Sequence, residues 1–562
     1  MKKKVIQRAN YLFNAKTIFL SLEGENGLNL VIPKKTKWSN NLGRMYHQFS
    51  YTNDPIELIG REQEKEELEA FLDGNTNFKV TAITGQAGNG KSRLVYEVFK
   101  DKAEQENWKI FGLAPNELQF FKTEFIYYFF PEDDLEKNIL FVIDYVTVKA
   151  FEIGNWIQLL YNNMKEIGSN IKIRIILVER AQVTQERKPY WYTMLVEKHG
   201  LMEEGLCEWE KHIKINNLPE DKLEEIFVKY IENKAETYEK LYGTKPDISM
   251  CKKEANVIIN KLDEKSKRPL YIKYIADAWL NDKSKKGRNW SKEAALQYVV
   301  EKENKKISAF FEKEKAKEIA LKKILAFSMA INGIELGEHI PHFLMKEFEL
   351  IEESFINGSP TMKQFLIEVG ELEKSEQYIL KSGLPEVVEE YYFLKYLDTQ
   401  IEIDWDNKTC VEEFVNQGWK TSPSAFACFL CRLVEDFSEH PLVNFEGILK
   451  LPQELSCECA ILYADVLREY TFWVDDIAKY KNSVPVIYEE ILGKTVDSGV
   501  LHKVCKNYAV ALFNMIWWCS KKSDSDDFEG SYAGLFLERL KNLSNSMVEL
   551  KEIYLNAQKL FE

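Results

Sequence analysis

The sequence predicts an α/β domain with a parallel, doubly wound sheet, followed by a long helical region. Three observations carry that expectation. Residues 78–84 (FKVTAIT) read as a strand that runs into the glycine-rich loop 85–92, and residues 94–99 open a helix behind it. Residues 139–143 and 171–178 are continuous β-branched and aliphatic runs, the pattern of strands covered on both faces. Beyond Leu218 the strand signal nearly vanishes, and amphipathic helical windows continue to the end of the chain.

A chain of 562 residues exceeds what one core can hold and should form roughly three to four domains. Hydrophobic residues make up 45%, with 33 Phe and 27 Tyr, enough to fill several cores and to exclude wholesale disorder. The formal charge of −14 does not support nucleic-acid binding, which needs a basic footprint. The one Lys/Arg-rich stretch, residues 283–292, reads as a solvated loop. No window approaches the ~20 apolar residues of a membrane span, and no leader-like apolar core follows the Met-Lys-Lys-Lys start. Nine cysteines lie scattered without a framework, so a cytoplasmic location is expected.

Residues 1–50 form a small extension in which 17–22 and 28–32 flank Glu-Gly-Glu-Asn-Gly, a short hairpin too small to be a catalytic effector. Residues 51–215 form the α/β core, entered through a linker at 51–55. Residues 216–300 read as a helical lid. Residues 301–400 form a second small domain with a candidate wing strand at 378–380. Residues 401–562 read as helical pairs, because residues 459–467 are echoed at 504–512, about 45 residues on. An α-solenoid and an irregular bundle both fit that spacing.

The chemistry sits at the loop. Gly85, Gln86, Ala87, Gly88, Asn89, Gly90, Lys91 and Ser92 satisfy G-x-x-x-x-G-K-[ST], between a strand and a helix. The three glycines let the backbone curl so that its N–H groups converge on a β-phosphate, helped by the positive end of the following helix. Lys91 is then expected on the β- and γ-phosphates, and Ser92 on Mg²⁺. The run 139–143 ends in Asp144, where the second Mg²⁺ carboxylate belongs. The run 171–178 ends in Glu179 and Arg180; an arginine there either senses the γ-phosphate or pairs with a surface carboxylate. The expected ligands are ATP or ADP with Mg²⁺.

Gly60-Arg61-Glu62 ahead of the strand, with Gly90-Lys91-Ser92-Arg93-Leu94 and Glu97, resembles the signal-transduction ATPases with numerous domains, the STAND class. Asp144-Tyr145, Trp156, Val178-Glu179-Arg180 and Tyr190-Trp191-Tyr192 are similar to the same bacterial branch. Arg268-Pro269-Leu270 fits its turn beside the adenine, and residues 384–391 resemble the close of its winged-helix region. The resemblance covers roughly residues 55–400. It implies that Gly60, Arg61, Arg93 and Pro269 belong to the nucleotide site. It also implies a switch that oligomerises in its ATP form after the C-terminal helices bind a trigger or partner protein, in antiphage defence or stress signalling. With no effector in residues 1–50, the output falls to a partner.

The departures matter. Many members of the class carry a second acid directly after the residue matching Asp144, and the branch shows Asp-Tyr-Ala-Glu, whereas this chain has Tyr145, Val146 and Thr147. Glu179 could substitute from the next strand tip, leaving a slow ATPase. Alternatively the protein is a scaffold that holds nucleotide with little hydrolysis. An AAA+ type remodelling ring is a third reading, weakened by the lack of a recognisable trans arginine finger or pore loop. Cys428, Cys431, Cys457 and Cys459 read as buried helix cysteines rather than zinc ligands, and residues 516–518 as interhelical packing.

Overall fold

The computed structural model describes residues 19–21, 29–31, 56–104, 108–113, 138–167, 172–180, 189–201, 205–207, 212–281, 289–312, 314–335, 340–356, 362, 365–366, 372–374, 378–380, 382, 384–403, 408–522 and 527–561. The linker at 51–55 and the basic run at 283–288 lie outside them. The chain forms two compact units, residues 1–306 with 383–385, and residues 307–382 with 386–562.

In the first unit, β1 (Phe19–Ser21) and β2 (Asn29–Val31) pair antiparallel. Helix α1 (Glu62–Asp73) leads into β3 (Phe78–Thr84), and the glycine loop is followed by α2 (Lys91–Glu104). The remaining strands are β4 (Trp108–Leu113), β5 (Asn138–Asp144), β6 (Ile173–Glu179) and β7 (Ile213–Lys214). They form one sheet in the order β4-β5-β6-β3-β7, parallel throughout. The chain therefore carries a P-loop fold, with the loop on an inner strand.

Strand periodicity explains the two covered faces. Leu140 and Val142 pack with Leu68 and Leu72 of α1 and with Leu94 and Val98 of α2. Between them Phe141 points the other way, and its ring meets Trp156 of α3 (Ala150–Ile167) edge-on at 5.0 Å. Arg174, fully buried within the apolar run of β6, donates to the carbonyls of Phe71, Gly74 and Ile173 at 2.7–3.0 Å. It thereby satisfies carbonyls that the end of α1 leaves orphaned. Burial pushes its guanidinium down to about 10, against the pull of Asp73.

After the sheet come α4 (Glu220–Tyr242), α5 (Ile248–Ile259), α6 (Pro269–Asn281) and α7 (Lys292–Phe311), a helix that crosses residue 300. Gly243 ends α4 in the left-handed conformation, and the Asp247 carboxylate caps α5 by accepting from the N–H groups of Ser249 and Met250. Asp277, buried on α6, pins three of these helices. It accepts from Tyr230 of α4 at 2.9 Å, and from Tyr298 and Lys302 of α7 at 2.8 Å each.

The second unit, which starts within the last turns of α7, contains α8 (Lys315–Ala330) and a small antiparallel sheet of β8 (Ile334–Glu335), β10 (Tyr378–Leu380) and β9 (Leu372–Lys374), with β10 central. Helices α9 (Met345–Ile356) and α10 (Glu386–Ile403) accompany it. Among the described residues, seven α-helices follow: α11 (Lys408–Thr421), α12 (Pro423–Phe437), α13 (Cys457–Trp473), α14 (Ser483–Lys494), α15 (Ser498–Lys522), α16 (Asp527–Ser546) and α17 (Lys551–Phe561).

The two echoed segments lie on α13 and α15, which share a buried network. Arg468 donates to Asp465, to Glu469 at 3.1 Å and to Asn507 at 2.6 Å. Cys428 and Cys431 fall inside α12 and Cys457 and Cys459 at the start of α13. Among the described residues no group of three or more His, Cys, Asp or Glu is placed to hold a metal. No described helix is long and apolar enough to cross a membrane.

Candidate functional site

A wholly parallel sheet presents the carboxyl ends of its strands along one edge, where open α/β sheets take their ligands. Strand β6 lies between β3 and β5. Its register pairs Thr84 with Glu179 on one side and Asp144 with Val178 on the other. The glycine loop, Glu179-Arg180 and Asp144 therefore stand on three adjacent strand tips.

The loop leaves β3 through Gly85, whose φ of 156° and contacts exclude a side chain: a Cβ there would lie 2.4 Å from the Ile215 carbonyl oxygen. Gly88 and Gly90 also have positive φ, at 80° and 96°. The loop carbonyls are tied in sequence. Those of Gly85 and Gln86 accept from Lys91 Nζ at 2.5 and 3.2 Å. That of Ala87 accepts from Arg268 Nη1 at 2.8 Å, and that of Gly88 from the Leu270 N–H at 3.3 Å. The Asn89 carbonyl accepts from Arg61 Nη2 at 3.3 Å. In a trans peptide the C=O and the next N–H point opposite ways. Holding Ala87 O and Asn89 O outward therefore turns the N–H groups of Gly88 and Gly90 the other way.

Arg61 is buried and spans three elements, donating also to Glu64 at 2.8 Å and to the Asn216 carbonyl at 2.6 Å. Burial lowers its pKa, while Glu64 opposes that shift. Gly60 precedes it with φ 68°, beside Leu218 and Lys222. Arg93, one residue past Ser92, donates to the Ile56 carbonyl at 2.9 Å and pairs with Glu97 at 2.5 Å. Pro269 begins α6, and the residues on either side of it, Arg268 and Leu270, are those that touch the loop. Asn89 Nδ2 adds a bond to Asn217 Oδ1 at 3.0 Å, and Asn217 donates on to the Glu264 carbonyl at 3.1 Å.

Asp144 ends β5 half-buried, its Oδ1 accepting the Tyr145 N–H at 3.0 Å. Tyr145 then turns left-handed, with φ 58°. Glu179 is buried and anchored at both oxygens. Oε1 accepts the Arg180 N–H at 2.6 Å, and Oε2 accepts the Thr147 N–H at 3.0 Å and its hydroxyl at 2.7 Å. The Arg180 guanidinium, also buried, lies 5.3 Å from the Tyr145 ring centre and 3.4 Å from its hydroxyl.

Ser92, half-buried in the first turn of α2, and the half-buried Asp144 carry hard oxygen donors, the ligand type that Mg²⁺ takes. Both residues were named from the motif. The partners Thr147, Asn216 and Asn217 were not, since each earns its place only through register or long-range packing; Arg268 is expected in the turn beside the adenine, and the structure adds its bond to the Ala87 carbonyl. The one sequence signal for Thr147 was its departure from the acid expected near Asp144.

No family model matches the chain, and no curated protein matches it. Among solved structures it is similar to Cdc6p from Pyrobaculum aerophilum, at 14% identity and a TM-score of 0.31, covering 63% of this chain and 97% of that one. It is also similar to the Aeropyrum pernix Orc1 protein in complex with DNA, at 11% identity and TM-score 0.27, covering 63% and 98%. AMPPCP-bound DnaA from Aquifex aeolicus shows 11% identity and TM-score 0.27, covering 67% and 97%. The fold assignment rests on the sheet order and the loop.

Proposed function

We propose that the chain is an ATP-binding molecular switch of STAND type. The loop 85–92 takes the phosphates, with Lys91 on the β- and γ-phosphates. Ser92 and Asp144 are the Mg²⁺ donors, and Arg180 is the arginine that reads the γ-phosphate. Gly60, Arg61, Arg93 and Pro269 frame the site: Arg61 by bracing the loop, Arg93 by anchoring α2 to residue 56, and Pro269 by starting the lid helix against the loop. Mg²⁺, when bound, neutralises phosphate charge.

One observation carries this reading. The Ala87 and Gly88 carbonyls are held by Arg268 and Leu270 at the start of α6, so the lid is bonded directly to the phosphate-binding loop. A ligand that favours one loop conformation therefore biases the lid as well, which is the differential contact a switch requires. The rest of the reading follows the resemblance: the C-terminal helices bind a trigger or partner protein, the ATP form oligomerises, and a partner supplies the effector in antiphage defence. The winged-helix reading of residues 301–400 belongs with it, around the three-stranded sheet of β8, β9 and β10.

Light scattering with ATP, with ADP and with Lys91→Ala tests the switch. A larger assembly in ATP alone, absent from Lys91→Ala, is the expected outcome; one size under all conditions contradicts it. A second reading, a nucleotide-bound scaffold with little turnover, is favoured by Tyr145 and Thr147 standing where acids are expected. Tightly retained nucleotide without any ATP-dependent change in size or hydrolysis would support it.

A further inference from the structure

The register of the sheet bears on the missing acid. Asp144 pairs with Val178, so the row just beyond Asp144 is occupied on the neighbouring strand by Glu179. Glu179 is also level with Thr84, the last strand residue before the loop. It thus stands between the Asp144 tip and the phosphate-binding loop. Cross-strand partners in register share a face of the sheet, so Thr84 and Glu179 lie on the same one. Thr84 Oγ1 is buried and has no hydrogen-bond partner among the described residues, so its hydroxyl is open to a water at this level of the sheet.

A carboxylate offers about four acceptor sites. The Arg180 N–H, the Thr147 N–H and the Thr147 hydroxyl account for three at Glu179, each within 3.0 Å. Such a group is fixed in orientation and retains acceptor capacity for one more donor. Phosphoryl transfer needs this more than it needs a strong base, because catalysis there consists mostly of positioning and charge stabilisation.

We propose that Glu179 is the carboxylate that orients the attacking water in ATP hydrolysis, and that Thr147 is its positioning residue. The inference rests on the nucleotide-binding reading above. Water oxygen bonds to Pγ as the bond from Pγ to the β,γ-bridging oxygen breaks, and ADP departs with that oxygen. One water proton remains on the phosphate product, and the other passes to solvent by way of the Glu179 carboxylate. Thr147 replaces an acid at its own position with a hydroxyl that holds the acid of the next strand.

The test is steady-state and single-turnover ATP hydrolysis by the full chain, with ATP affinity measured separately by fluorescent-nucleotide displacement. Glu179→Gln and Thr147→Val should each lower kcat by about 100-fold or more while KM and ATP affinity stay within about threefold. Thr147→Ser, which keeps the hydroxyl, should restore kcat to within about threefold of the parent protein. Wild-type kcat in Glu179→Gln or Thr147→Val overturns the proposal. So does a loss of ATP affinity in step with kcat, which would make the pair a structural pin. ATP binding by the parent protein without hydrolysis overturns this proposal and leaves the binding reading standing, whereas absence of ATP binding defeats both.

Discussion

Arg268 Nη1 donates to the Ala87 carbonyl oxygen at 2.8 Å, joining the start of α6 to the glycine-rich loop across 181 residues of sequence. Arg268 is buried, so this charged donor was brought out of water to make the contact. A hydrogen bond to a charged group contributes about 1.5–3 kcal/mol.

Arg268→Ala should therefore speed nucleotide release about 10-fold or more, with Arg268→Lys in between because a lysine lacks the planar fork. Stopped-flow release of a fluorescent ATP analogue measures it. Unchanged release in Arg268→Ala would show that the lid contact does not stabilise the loop.

Lys234 should make stability pH-dependent. Burial pushes its ammonium down to about 7, with Asp277 opposing and Lys302 adding to the shift. Between pH 7 and 10.5 the unfolded chain then binds more protons than the folded one, so stability rises with pH across that window. Below pH 7 the whole cost of the buried charge remains. Lys234→Met should flatten the rise and stabilise the protein at pH 7 by on the order of a few kcal/mol. Thermal unfolding midpoints at a series of pH values give the comparison; parallel curves for both proteins would contradict it.

Arg468 holds Asp465, Glu469 and Asn507 together in the C-terminal helices, and its side chain is almost wholly buried. Removing it leaves two carboxylates in a low-dielectric interior without their cation. Arg468→Met should lower stability by about 3–5 kcal/mol. The quadruple replacement Arg468→Met, Asp465→Leu, Glu469→Leu and Asn507→Leu should recover most of that loss, because apolar groups of similar size need no partner, and Asn507 would otherwise lose both of its bonds. Denaturant unfolding monitored by tryptophan fluorescence distinguishes the two proteins.

The strands of the sheet were legible where their chemistry is local. Residues 78–84, 139–143 and 171–178 are β-branched and aliphatic runs, and the structure places β3, β5 and β6 on them, with β6 starting at Ile173. Strand β7 was not legible. It is two residues long and is defined by pairing with Ile83 and Thr84 rather than by any pattern of its own. Glycine spacing exposed the loop, and the resemblance pointed to Arg61 and Arg268, but not to the carbonyls of Asn89 and Ala87 that they hold from distant segments. The pairing of Thr147 with Glu179 depends on a register between strands that no single run of residues encodes.

The central claim, that residues 85–92 hold the phosphates of ATP, is tested most directly by calorimetric titration of MgATP into the full chain and into Lys91→Ala. The account predicts one ATP per chain, bound at micromolar Kd or tighter, and a loss of about 100-fold or more in Lys91→Ala, a difference of about 2.7 kcal/mol. No binding by the full chain, or equal affinity in the two proteins, would contradict it.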